Sequence, residues 1–250
     1  VAGVEALLRW DRPDRGMLAP PAFLPQVEAA GLMRATTRVV LDLALDQVAL
    51  WRAEGRELSV AVNLSASSLS DTGLPAEVAA MLVARGLDPS SLELEITEEF
   101  LMADRVRARA VLGALRDAGV RIAVDDFGTG YSSLAYLRDL PVDELKLDRS
   151  FVRPMSRDPR AGALVGSTVA LAHSLGMRMV AEGVEDGEAY SQLHRLGCDV
   201  AQGYWICRPV PAAGLEAWLD TWPGTAQLEA PGSQRPDRGR TPGTNRGVRA

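Results

Sequence analysis

Residues 106–126 read Val-Arg-Ala-Arg-Ala-Val-Leu-Gly-Ala-Leu-Arg-Asp-Ala-Gly-Val-Arg-Ile-Ala-Val-Asp-Asp, and they hold one full repeat of the fold. Val111, Leu112 and Leu115 recur at helical spacing within Val106–Ala118, Gly119 stops that helix, and Val120–Asp125 follows as a short β-forming run. Working outward, the order helix, glycine, strand returns in Ala161–Leu175, Gly176 and Arg178–Ala181, and Gly197 again precedes a run at Asp199–Tyr204. Further runs rich in Val, Ile and Leu lie at Gly3–Trp10, Leu58–Leu64, Leu92–Thr97 and Glu144–Leu147. Strands alternating with helices imply parallel βαβ units. The expected fold class is therefore α/β, a TIM-type (β/α) barrel, which closes with eight strands in about 250 residues. Seven runs are present, so the first barrel strand is expected to be absent from this chain. It opens at Val1 directly on an apolar run, as a piece of a longer polypeptide would. An open doubly wound sheet is the alternative, but no Gly-x-Gly-x-x-Gly turn follows an early strand.

Composition narrows the function. At 250 residues and 47% apolar the chain builds one sizeable core. Its net charge of −6 disfavours binding to duplex nucleic acid, which needs a basic surface. Two histidines and two cysteines leave little for a zinc site, a His-based triad or a disulfide framework; Cys198 and Cys207 read as reduced, partly buried thiols of a cytoplasmic protein. No signal peptide or membrane segment stands out, since His173 and Arg178 interrupt the most apolar stretch, Ala161–Ala181. Residues 223–250, with five arginines against two acids and few apolar residues, read as a disordered tail after a domain spanning 1–222. One oddity remains: among 27 cationic residues, Lys146 is the only lysine.

Polar residues recur at or near the C-terminal ends of the strands, where a parallel barrel places its chemistry: Asn63, Glu95, Asp125 with Asp126, Lys146 with Asp148, Glu182 and Gln202. Glu5, Leu7 and Arg9 share a face of the first strand by the two-residue period. Glu5, Glu95, Asp125, Asp126 and Glu182 crowd one opening with Lys146 and Arg9 as counter-charges, and like charges at close range raise each other's pKa. Divalent cations resolve the conflict. An all-oxygen set with the Asn63 amide suits Mg²⁺, Mn²⁺ or Ca²⁺, and adjacent Asp125 and Asp126 suit two ions clamping a phosphoryl displacement. Lys146 then serves as a compact point charge beside the attacking water. The segment Asp126-Phe127-Gly128-Thr129-Gly130-Tyr131-Ser132-Ser133 is a candidate for a loop that controls metal occupancy or contacts a partner.

These residues together resemble the EAL family, bacterial phosphodiesterases that hydrolyse cyclic di-GMP. The resemblance covers roughly residues 3 to 220 and rests on Glu5-Ala6-Leu7-Leu8-Arg9-Trp10, Asn63-Leu64-Ser65, Glu95-Ile96-Thr97-Glu98 and the Asp125–Ser133 segment. Lys146-Leu147-Asp148-Arg149-Ser150-Phe151, Glu182-Gly183-Val184-Glu185 and Gln202-Gly203-Tyr204 complete it. It implies a barrel with one antiparallel strand. It also implies a first Mg²⁺ or Mn²⁺ on Glu5, Asn63, Glu95 and Asp125, and a second on Asp125, Asp126 and Glu182. Lys146 would contact the nucleophilic water, Gln202 would lie beside the metals, Arg9 would bind a phosphate, and Asp148 with Arg149 would seat the dinucleotide. Glu98 would anchor the loop after Asp126, with Glu185 as further support, and that loop would pair two copies as a homodimer. The product would be linear pGpG. The family's Tyr-Gln-Pro-type strand, normally about twenty residues before the Glu-Ala-Leu tripeptide, has no counterpart after Val1.

Two other readings stand beside this one. A catalytically silent cyclic di-GMP receptor could serve an upstream sensor or GGDEF domain in a longer chain. A proton-abstracting lyase of enolase type also rings a barrel mouth with a lysine and metal-binding carboxylates, but it needs a capping domain for which this chain has no room.

Overall fold

The structure is a computed structural model and describes residues 1–98, 105–130, 137–222 and 247–249. Its strands are β1 (Gly3–Ala6), β2 (Trp10–Arg12), β3 (Gly16–Leu18), β4 (Ser59–Asn63), β5 (Leu92–Thr97), β6 (Arg121–Phe127), β7 (Glu144–Leu147), β8 (Arg178–Ala181), β9 (Val200–Ala201) and β10 (Gly247–Arg249). Nine α-helices lie among the described residues: α1 (Leu24–Ala29), α2 (Met33–Ala53), α3 (Ala66–Leu69), α4 (Leu74–Ala84), α5 (Arg105–Asp117), α6 (Arg149–Val152), α7 (Pro159–Ser174), α8 (Gly187–Arg195) and α9 (Ala212–Asp220).

The main sheet runs β10-β1-β4-β5-β6-β7-β8-β9, with every pair from β1 to β9 parallel. It is the curled parallel sheet of a TIM-type barrel, and all seven expected runs contribute to it. The quoted repeat holds: α5 ends at Asp117, Gly119 turns at φ +91°, and β6 begins at Arg121. Gly176 and Gly197, at +75° and +77°, do the same before β8 and β9. The first run breaks earlier than expected, because β1 stops at Ala6 and Trp10 belongs to the separate β2–β3 hairpin.

Strand periodicity sorts the side chains. Leu92, Leu94 and Ile96 of β5 and Leu145 and Leu147 of β7 join the apolar layer under the helices. Alternate residues, Glu93 and Glu95 on β5 and Glu144 and Lys146 on β7, therefore face the barrel interior, and all four are buried. The interior thus carries charge at both ends of the same strands.

One edge departs from expectation. Gly247–Arg249, assigned from composition to a disordered tail, pair antiparallel with Gly3–Glu5 of β1. The tail has few apolar side chains, but an edge strand offers unpaired backbone N–H and C=O groups, and ladder pairing needs no side chain. The sheet's antiparallel strand is this one, from the C-terminal end of the chain, and among the described residues no pairing joins β9 to β10. The rest of the tail lies outside the described residues. Cys198 and Cys207 form no disulfide, and burial pushes the Cys198 thiol up to about 12, which leaves it protonated. No helix among the described residues is long and apolar enough to cross a membrane.

Candidate active site

Lys146 is the centre of the mouth. Its side chain is 0% exposed, and its Nζ lies 2.7 Å from Glu182 Oε1, 3.0 Å from Glu95 Oε1, 3.0 Å from Asp125 Oδ1 and 3.9 Å from Glu5 Oε2. Burial alone would lower its pKa, but Glu5, Glu95, Glu182 and Asp125 outweigh burial and hold the ammonium well above the ordinary lysine range. The chain's single lysine is therefore the hub of four acids.

Glu5 is fixed by two amides: Asn63 Nδ2 donates to its Oε1 at 2.8 Å and Gln202 Nε2 to its Oε2 at 2.7 Å. These contacts bring the ends of β1, β4 and β9 together. Glu95, fully buried, lies beneath the cavity against Lys146.

Neighbouring strand residues normally point to opposite faces, so Asp125 and Asp126 should diverge. They do not, because the β6–β7 register shifts between Val124 and Phe127 and Asp126 adopts φ +53°, the only non-glycine left-handed backbone among the described residues. This turn, at a cost of roughly 1–2 kcal/mol, brings ligand oxygens of Asp125, Asp126 and Glu182 within 4.8 Å of one another. Burial, then Asp125 and Asp148, raise the Asp126 carboxyl above its ordinary value. Burial likewise raises Glu182, to about 7, with Asp125 and Glu5 adding to it and Lys146 opposing.

The oxygens fit a hard divalent cation. All are carboxylate or amide oxygens, and oxygens of Asp125, Asp126 and Glu182 converge with the single Lys146 ammonium, 3.0 Å from Asp125 Oδ1, as their nearest counter-charge.

A cavity of about 280 Å³ opens above this floor, lined by Glu5, Arg9, Asp125, Arg149, Glu182 and Gln202 among others. The Glu5–Leu7–Arg9 face holds to this extent: all three line the cavity although the strand ends before Leu7. Asp148 is not among the lining residues. Its side chain caps α6 by accepting from Ser150 N at 2.9 Å, and so presents Arg149. Gly183 takes φ +68°, and a Cβ there would run into Arg149, so the close approach of this arginine needs glycine. Several lining residues have no role assigned from the sequence, among them Arg153, Gly203 and Tyr204. Arg153 pairs with Glu185 at the rim, and Tyr204, 53% exposed, stacks under the Arg208 guanidinium, 4.7 Å from the ring centroid. Gly203 Cα lies so near the Val184 backbone that a side chain is excluded. Only the Gly-Tyr pair after Gln202 carried a signal for these in the sequence.

Glu98, 4% exposed, accepts from Gly128 N at 3.1 Å, and its carboxylate leaves no room for a side chain on Gly130. Glu185 contacts Arg153 and not the loop after Asp126 among the described residues. Glu185 lies at the cavity rim instead, because it follows β8, two strands along the sheet from β6. Residues 131–133 of the loop motif lie outside the described residues.

The sequence matches the EAL domain family over residues 1–209. The chain belongs to the EAL family. It is 43% identical over 217 residues to the cyclic di-GMP phosphodiesterase PA2567 of Pseudomonas aeruginosa, covering 87% of this chain and 37% of that protein. It is 44% identical over 216 residues to the bifunctional diguanylate cyclase/cyclic di-GMP phosphodiesterase MucR of the same organism, covering 86% of this chain and 32% of that protein. The chain thus spans about a third of the curated relatives it matches. A solved MucR phosphodiesterase in complex with c-di-GMP superimposes with a TM-score of 0.80 at 44% identity, over 86% of this chain and 87% of that one.

Proposed function

We propose that residues 1–222 form a metal-dependent phosphodiesterase that opens cyclic di-GMP to linear pGpG by in-line attack of water. The observation that carries this reading is the under-compensated mouth. Five carboxylates, Glu5, Glu95, Asp125, Asp126 and Glu182, gather around one buried ammonium at the end of an EAL barrel. Two divalent cations, Mg²⁺ or Mn²⁺, would offset the remaining four charges. Glu5, Asn63, Glu95 and Asp125 would hold the first, and Asp125, Asp126 and Glu182 the second; when bound they supply an acidified water and a clamp on the phosphoryl oxygens.

The chain's own residues supply the rest. Lys146 stays protonated and places fixed positive charge at the floor, where negative charge develops on the attacked phosphate. Arg9, its guanidinium fixed on Leu8 O at 2.6 Å, and Arg149, carried by α6, offer donors to the substrate phosphates. Gln202 and Asn63 hold Glu5 in one orientation. Tyr204 and Arg208 at the rim form a platform on which a guanine can stack. Glu98 ties the loop after Asp126 to β5, so the Asp125–Asp126 turn is set from outside the cavity. We further assign the domain to the cytoplasm, where the nucleotide is found, and a homodimer through the loop after Asp126, with a sensor or GGDEF domain as the partner in a longer chain. These rest on the family resemblance and on the relatives' greater length.

Incubating purified protein with cyclic di-GMP and Mn²⁺ and resolving products by ion-exchange chromatography tests the reading. Formation of pGpG supports it, and tight binding with no product under any divalent ion makes the domain a receptor.

A further inference from the structure

The cavity holds more charge than metals and phosphates require. Four carboxylates line it among the described residues: Glu5, Asp125, Glu182 and Glu185. The first three belong to the cluster around Lys146, and Glu185 alone stands outside it. Of the three lining arginines, Arg9 and Arg149 are assigned to the phosphates, and Arg153 is not.

Arg153 and Glu185 meet at the rim. Arg153 closes the helical turn that begins at Arg149, its backbone N–H donating to Arg149 O at 2.9 Å, so the two arginines share one face of α6. Arg153 Nη2 donates to Glu185 Oε1, and among the described residues no donor meets Oε2. Both side chains are 48% exposed, and an ion pair in so much solvent adds little to folding. Its place beside the aromatic platform sets it apart from other surface pairs. Val184 N donates to Gln202 O at 3.0 Å and Trp205 N donates to Val184 O at 3.0 Å, so the segment that carries Glu185 runs along the one that carries Tyr204.

We propose, building on the cyclic di-GMP reading above, that Arg153 and Glu185 read the base edge of one guanine and set the preference of this site for guanine over adenine. Along its Watson–Crick edge guanine offers an acceptor at O6 and donors at N1 and N2. The ion pair offers the complement in the same order: a guanidinium N–H, then Oε1, then Oε2. Adenine, with a donor at N6 and an acceptor at N1, would set N–H against N–H and a lone pair against a carboxylate. Arg153 also holds Glu185 in one orientation before the base arrives, so less freedom is lost on binding. The base would stack on Tyr204 while its edge meets the pair, which leaves Arg9 and Arg149 to the phosphates.

Base selectivity tests this separately from turnover. With Mn²⁺, wild type should process cyclic di-GMP with a kcat/KM at least about twentyfold above that for cyclic di-AMP. Glu185→Gln, which replaces one acceptor by a donor, should cut that preference at least about fivefold, with the loss falling more on KM than on kcat. Arg153→Ala should cut it in the same direction, since O6 loses its donor. Cyclic di-IMP, whose bases lack only the N2 amino group, isolates one contact: wild type should favour cyclic di-GMP over it by about fivefold or more, and Glu185→Gln should bring that ratio towards one. Variants that retain the wild-type preferences overturn the proposal, whatever their activity, as does a wild type that treats the three nucleotides alike. A wild type that binds without turnover removes the phosphodiesterase reading alone, and the same ratios are then read from dissociation constants by calorimetry, with the same two outcomes.

Discussion

The same strands carry charge to both ends of the barrel, and the two ends treat it differently. At the N-terminal end each acid has its own cation or donors. Glu144 accepts from Arg178 Nε at 3.1 Å, Glu93 lies 3.8 Å from Arg121, Asp143 accepts from Arg116 at 2.9 Å and from Ile122 N at 3.0 Å, and Asp199 accepts from His173 and Met179 N at 2.8 Å each. At the C-terminal end, two residues further along the same β5 and β7, Glu95 and Lys146 join a cluster in which one cation serves several acids. The pKa directions separate in the same way. Burial raises Asp199, but the Met179 N–H and His173 outweigh it and hold the carboxyl below its ordinary value, whereas burial and like charges raise Asp126 and Glu182. Matched pairs are structural; a shortage of positive charge marks the end built to receive cations.

Lys146→Met should break this contrast most severely. It leaves buried acids without a partner, so the metal-free protein should lose about 3–5 kcal/mol in a denaturant titration, with Mn²⁺ restoring part of it. Phosphodiesterase activity should fall by at least about a thousandfold. Glu144→Gln at the other end leaves an Arg178 that is about half exposed, so it should cost only about 1 kcal/mol and leave activity within twofold. Equal effects of the two substitutions on activity would erase the distinction between the ends.

Asp126→Asn keeps the left-handed turn, which asparagine tolerates, and removes one charge. Turnover should fall by about a hundredfold or more with an unchanged circular dichroism spectrum and melting point.

The pH response should differ in sign between the ends. Glu182, ordinarily near 4.5, titrates near 7 in the folded protein, so the metal-free fold holds that proton more tightly than the unfolded chain. Stability from this group is full below its ordinary value and declines as pH rises towards 7. A cation needs the carboxylate, so divalent affinity should rise through about pH 7, with proton release detectable by calorimetry in buffers of different ionisation enthalpy. Asp199, lowered in the folded state, contributes stability above its unfolded value that is lost as pH falls below the carboxylate range. A modest effect is expected from Glu98→Gln, which weakens one anchor of the loop at Gly128: about 1 kcal/mol of stability and a several-fold loss of activity.

The sequence made much of this legible for physical reasons. Their places at or near the C-terminal ends of β-forming runs marked Glu95 and Lys146, and the lone lysine in an arginine-rich chain marked a position where a compact cation is needed. The turn at Asp126 was hidden, because adjacency in a strand predicts divergence and only the register shift reveals convergence. Asp148 was expected to seat the dinucleotide, whereas its side chain caps α6 and does not line the cavity; an acid just before a helix fits either role by residue type alone. Arg153 was hidden because its place at the rim depends on how a helix docks after β7. The pairing of Gly247–Arg249 with β1 was also invisible, since it uses backbone groups and no side-chain pattern announces it.

The central claim is that the under-compensated mouth is catalytic and not merely a nucleotide receptor. Supplying purified protein with cyclic di-GMP and Mn²⁺ in ¹⁸O-labelled water and weighing the product by mass spectrometry tests it most directly. The account predicts linear pGpG with a single labelled oxygen on its terminal phosphate, formed by wild type and at least about a hundredfold more slowly by Asp126→Asn. Intact cyclic di-GMP recovered from saturated wild-type protein would contradict it.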